Sequence, residues 1–141
     1  MIWENAGRAI QLVKEILRDT HAFDVVRGPS GNGPVDVLVV YNGLAIDIIH
    51  YDPYNDSPSP KGRPVEYLGD IDSSQVLATI NRVLREAYVL EAAEYREPER
   101  AWIVPVGWRN LIIMHVKVEF SGGGLVVDPQ LQKRLRELAR P

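Results

Sequence analysis

The stretch VDVLVVYNGLAIDIIHY, Val35 to Tyr51, constrains the fold of this chain more than any other segment. Two apolar runs flank Asn42-Gly43, the dipeptide best suited to a two-residue turn because both turn positions need φ > 0. Such a turn sets Tyr41 against Leu44 and fixes the register of both arms. Strict alternation then places Val35, Val37, Val39, Tyr41, Leu44, Ile46, Ile48 and His50 on one face. Asp36, Leu38, Val40, Ala45, Asp47, Ile49 and Tyr51 fall on the other. The first face reads as core. The second mixes carboxylates with apolar groups, and a mixed face is where a ligand is expected. Asp36 and Asp47 become diagonal neighbours, about 6–8 Å apart at Cβ. One Mg²⁺ could bridge that spacing, since it takes one or two carboxylates and fills its shell with water. Metal-dependent phosphodiester hydrolysis also wants a cation on the same face, two residues past the second acid. Ile49 stands there.

The rest of the chain supplies helices around a second hairpin. Ile10, Val13, Ile16 and Leu17 form one stripe of a helix predicted over Trp3 to Asp19, and Ala22 to Arg27 reads as a short strand. RGPSGNGP, Arg27 to Pro34, is a loop; it lacks the Lys-Ser/Thr of a phosphate-cradling loop. Asp72 or Ser73 starts a long helix predicted to run to about Arg96, with Val76, Ile80, Val83, Leu84, Ala87 and Leu90 inward. AWIVPV and LIIMHVKVEF form the second hairpin through Gly107-Trp108-Arg109-Asn110. Pro105 lacks a backbone donor, so its strand is expected at an edge or with a bulge. On the longer strand Ile112, Met114, Val116 and Val118 face one way, and Leu111, Ile113, His115, Lys117 and Glu119 the other. After the SGGG connector, Asp128-Pro129 opens a last amphipathic helix, 129–140, lined by Leu131, Leu135 and Leu138. Those leucines either pack on their own domain or pair with a second subunit. The predicted whole is a single α+β domain, 1–141. Its mostly antiparallel four- to five-stranded sheet is made of two β-hairpins, with helices before, between and after.

Composition narrows the function classes. The chain has no cysteine, which excludes a disulfide framework and thiolate metal sites. The N-terminus does not read as a signal peptide and no apolar run reaches the ~18 residues of a membrane span, so a cytoplasmic protein without a membrane partner is expected. His21, His50 and His115 show no ligand spacing, so no metal or cofactor is expected. The net charge of −3 opposes a polyanionic partner, but twelve of the sixteen basic residues are Arg, which forks onto phosphate and stacks on planar groups. Arg-rich usage equally suits a heat-stable or GC-rich source.

Asp52 to Glu66, DPYNDSPSPKGRPVE, holds four prolines and is expected to be a flexible loop, either functional or a solvated linker. It brings Tyr54, Lys61 and Arg63 beside Tyr51. With Trp102, Trp108 and Arg109 these make an aromatic and basic set suited to a flexible polyanion. Trp108, at a turn, either stacks on a ligand or folds back onto the core.

Two resemblances follow from these residues. NAGRAIQLVKEIL, VVRGPSGNGPVDVLVVYNG and AIDII resemble the first half of the archaeal Holliday-junction resolvases, of the PD-(D/E)XK nuclease superfamily, over about fifty residues. That resemblance implies Asp36 and Asp47 as metal acids, with Ile49 in place of the lysine. Gln11 lies on the inner helix stripe, and Glu15 one turn on. In architecture, length and composition the chain is also similar to the ThermoDBP-related single-stranded DNA-binding proteins of archaea. That similarity implies a homo-oligomer holding DNA or RNA in a cleft. The expectation is a non-catalytic single-stranded nucleic-acid-binding protein using Tyr51, Tyr54, Lys61, Arg63, Trp102, Trp108 and Arg109, with Leu131, Leu135 and Leu138 for oligomerisation. The alternatives are a divergent metal-dependent nuclease on Asp36 and Asp47, or a scaffold of that fold without catalysis.

Overall fold

Two antiparallel hairpins organise the computed structural model, which describes residues 2–28 and 31–140. Of the loop expected at Arg27 to Pro34, Pro29 and Ser30 lie outside the described residues. In order, the elements are α1 (Ile2–Leu17), β1 (His21–Val26), β2 (Gly33–Tyr41), β3 (Leu44–Asp52), β4 (Ser57–Pro58) and β5 (Glu66–Tyr67). There follow α2 (Ser73–Glu86), β6 (Tyr88–Val89), β7 (Glu94–Arg96), β8 (Ala101–Trp108), β9 (Leu111–Glu119) and α3 (Pro129–Ala139). The first sheet runs β1-β2-β3-β4 with β5 on the far end of β2; in the second, β8 is flanked by β9 on one side and by β6 and β7 on the other. The architecture is α+β and antiparallel, as expected, with the two hairpins in separate sheets of five and four strands. Among the described residues no helix is long and apolar enough to cross a membrane.

The Asn42-Gly43 turn forms with φ of 48° and 77°, and Tyr41 pairs with Leu44. One step later the alternation breaks. Val40 pairs with Ala45 but Val39 pairs with Asp47, so Ile46 is an extra residue on β3. This β-bulge moves every later residue of β3 to the opposite face. Asp36 therefore pairs with His50, Leu38 with Ile48 and Val37 with Ile49. The expected single face bearing both Asp36 and Asp47 does not exist: Asp47 shares the side of Val37, Val39 and Ile49, and Asp36 the side of Leu38 and Val40.

Both faces of this hairpin are buried. Val35, Val37, Val39, Ile49 and Tyr51 join a core that also holds Ile10, Val13 and Ile16 of α1, Val76, Ile80 and Val83 of α2, and Val104, Met114 and Val116 of the second sheet. Leu38, Val40 and Ala45 form a smaller cluster on the opposite face, closed by α3 through Leu135 with Leu131 and Leu138 beside it. The three leucines expected at a subunit interface are thus used within the chain. Gln132 clamps the same contact, its amide donating to the Ala45 carbonyl at 2.8 Å and accepting from the Ala45 N–H at 3.1 Å. The apolar face expected to meet a ligand meets α3.

The second hairpin repeats the device. Gly107 pairs with Ile112 and Val106 with Met114, leaving Ile113 as the inserted residue. Ile113 is fully buried and Ile112 exposed, the reverse of the alternation reading. Pro105 sits in a central strand. The Leu90 N–H donates to its carbonyl at 3.0 Å, so the backbone of Pro105 faces the gap between β6 and β7, where no donor is needed. The helix expected to reach Arg96 stops at Glu86. Ala87 turns extended, and Tyr88 and Val89 pair with Gly107 and Val106. Pairing with β8 outweighs the helical propensity of Leu90 to Glu94, because local preference is weaker than tertiary pairing.

Candidate functional site

The structure disperses the residues singled out in the sequence. Tyr51, Trp102 and Trp108 are 3%, 4% and 5% exposed, so none presents a ring to a ligand. The Trp102 indole donates to the Phe120 carbonyl at 2.9 Å, and the Trp108 indole to Glu86 Oε1 at 2.9 Å. The Arg109 guanidinium lies 4.2 Å from the Trp108 ring centroid and covers it from the outside. Tyr54 is exposed, with its ring edge-on to Tyr67 at 5.3 Å, and Arg63 is exposed nearby in sequence. The 52–66 loop is tied down along its length. Asp56 accepts from the hydroxyls of Tyr51 and Thr79, the Ser59 N–H donates to the His50 carbonyl, and the Lys61 N–H to the Ile112 carbonyl. Burial, and then the Asp56 carboxylate, push the Tyr51 phenol well above its usual range. The Tyr51 hydrogen bond, followed by that of Thr79, holds Asp56 below the usual carboxylate range.

The two acids have separate structural partners. Asp36 Oδ1 is 2.7 Å from His50 Nδ1. Asp47 bridges the two sheets: Oδ1 accepts from Lys61 Nζ at 2.8 Å and Oδ2 from the His115 N–H at 2.8 Å. β3 and β9 lie side by side without a shared ladder, and this carboxylate supplies the hydrogen bond a ladder would have made. With the acids on opposite faces they cannot share one ion. Among the described residues no group of three or more His, Asp or Glu side chains is placed to hold a metal.

His115 lies in the cleft at this seam, with Lys61, Arg96 and Lys117. Burial lowers its pKa first; Asp47 and Glu94 oppose the shift, while Lys61 and Arg96 reinforce it. A depressed pKa stabilises the fold above the unfolded value, near 6.5, and that contribution is lost as pH falls through the folded value. The melting temperature should therefore drop on acidification below about pH 6.5 by more in the native chain than in His115→Gln. Superimposable pH profiles of the two proteins would remove His115 from the account.

A second cleft was not visible in the sequence. α1 and α2 end together, and the space between their C-terminal turns and β6 forms a cleft of about 610 Å³. Lys14, Arg18 and Arg85 line it with Leu17, Leu84 and Tyr88, and no acid is among its lining residues. Arg18 and Arg85 are exposed; Lys14 pairs with Glu91, itself largely exposed. Basic groups in the last turns of helices are favoured by the negative end of the helix dipole, which explains why they can accumulate here. The available sequence signal was the Lys14-Arg18 spacing, which on the helix read from the sequence to Asp19 puts both on one side. Their meeting with Arg85 depends on how each helix is laid against the strands.

No family model matches the chain, and no curated protein or solved structure compared with it does either. Neither the resolvase resemblance nor the ThermoDBP similarity gains support there.

Proposed function

We propose that the chain is a non-catalytic single-stranded nucleic-acid-binding protein whose phosphate contacts lie in the cleft between α1, α2 and β6. One observation carries the reading: in a chain of net charge −3, Arg18 and Arg85 converge, beside the Lys14–Glu91 ion pair, on a concave surface with no acid in its lining. Segregated charge of this kind raises the local concentration of an anionic partner regardless of the sign of the total. The cleft replaces the dispersed set expected from the sequence. Tyr54, Lys61, Arg63 and Arg109 stay outside this reading, and Tyr51, Trp102 and Trp108 belong to the core.

Anisotropy with a labelled single-stranded oligonucleotide tests it. Binding should weaken with salt, with a log–log slope of about −1.4 if Arg18 and Arg85 each neutralise a phosphate, since single strands give ~0.7 per contact. Arg18→Glu and Arg85→Glu should each lower affinity by about tenfold or more, equivalent to ~1.4 kcal/mol. Lys133→Glu on α3, with the same change in net charge, should leave affinity within about threefold. Undetectable binding at low salt, or equal losses for all three variants, sinks the proposal.

A further inference from the structure

We infer that Tyr88 is a fixed stacking platform for an unpaired nucleobase at the rim of the cationic cleft; the inference rests on the nucleic-acid reading and names the part of the ligand that the arginines do not recognise. Tyr88 lines the same cleft as Lys14, Arg18 and Arg85, and it is 46% exposed, unlike the three buried aromatic residues described above. Its position is set from beneath. Tyr88 pairs across the sheet with Gly107, and a Cβ at Gly107 would come within 2.6 Å of the tyrosine Cζ. Only glycine leaves room for the ring to lie across the strand there. The hydroxyl donates to the Arg109 carbonyl, which fixes the ring at its far end. Arg109 is itself a turn residue with φ 53°, its side chain laid over the Trp108 ring. The aromatic surface is therefore held at both ends before any ligand arrives, in a side chain that lines the cleft together with the basic groups.

This combination fits a base attached to a phosphodiester. A preorganised ring loses little freedom when a flat ligand settles on it, and stacking tolerates any base because every base has a π face. A duplex keeps its bases stacked on one another, so the platform selects single strands. Gly107 acts here as a positioning residue, since it touches the ring and not the ligand.

The experiment compares a labelled oligothymidylate with an abasic deoxyribose-phosphate oligomer of equal length, using the full chain. Tyr88→Ala should weaken oligothymidylate binding about 5- to 150-fold, the range for one stacked base. The abasic oligomer should be held as by the native chain. Tyr88→Phe, which keeps the ring, should stay within about threefold of native. Gly107→Ala, which displaces the ring, should follow Tyr88→Ala, and Tyr88→Ala alone suffices if the glycine variant misfolds. Equal losses of both oligomers in Tyr88→Ala, or no loss of either, overturns the platform and leaves the cleft reading standing. So does a Tyr88→Phe loss as large as that of Tyr88→Ala. If the native chain binds neither oligomer, the cleft reading itself fails.

Discussion

Trp108→Ala is expected to destabilise the protein by about 3–5 kcal/mol while leaving single-strand affinity of the remaining folded molecules within about threefold. The indole is 5% exposed, belongs to the core shared by both sheets, and donates to Glu86. Truncation removes a large buried surface, leaves a void that a β-hairpin end cannot easily close, and frees Arg109 from its ring. The result separates two roles that sequence alone left open at this turn. A stacking residue loses affinity at constant stability; a core residue does the reverse. Chemical denaturation with anisotropy at matched folded fraction reads both. A variant as stable as the native chain but unable to bind would return Trp108 to the ligand surface.

The same residue shows where sequence reading reaches its limit. Hairpin existence, the Asn42-Gly43 turn, the Asp72 and Asp128 caps and the helical stripes were legible because each is fixed by neighbours along the chain. Asp72 accepts from the Ser74 and Gln75 amides, and Asp128 from those of Gln130 and Leu131, as short-range capping requires. The faces were legible only in part: Val35, Val37 and Val39 are core as read, and Met114, Val116 and Val118 share one buried side. A single inserted residue, Ile46 in one hairpin and Ile113 in the other, reverses the side chains beyond it. Both insertions are isoleucines inside apolar runs, so composition gives no sign of the slip. That slip created the apparent diacid of Asp36 and Asp47, whereas Ile49 keeps the side of Asp47 and is fully buried core. The greasy second face had a simpler cause: α3 covers it, and its covering partner lies ~90 residues further along the chain, as the Ala45–Gln132 pair shows. The cationic cleft escaped for the converse reason. Lys14 and Arg85 sit on helices read for their buried stripes, Arg18 just beyond the first of them, and only the placement of α1 and α2 against the sheets brings the three to one cleft.

The largest electrostatic effect is expected at Asp47, and it is structural. Asp47→Ala should cost about 2–4 kcal/mol, because it strands a partly buried ammonium and a backbone donor together. The carboxylate and Lys61 side chains are 13% and 25% exposed, so solvent screening keeps the loss below that of a fully buried pair. The location of the loss is more diagnostic than its size. With no ladder between β3 and β9, the Asp47 bond to the His115 amide is a principal tie across that seam. Hydrogen exchange at the His115 amide should accelerate strongly in the variant, while amides of β2 paired to β1 keep their relative protection. Lys61→Met removes one arm only and should cost less, with the two losses failing to add in a double-mutant cycle. Asp36→Ala, by contrast, breaks only its contact with His50, and should leave exchange at the seam unchanged. A nuclease built on both acids makes a different forecast: either substitution abolishes Mg²⁺-dependent cleavage, and the two acids behave alike. Cleavage of single-stranded or branched DNA that is lost in both variants, at unchanged seam protection, would mean that the bulge at Ile46 does not separate the acids in solution.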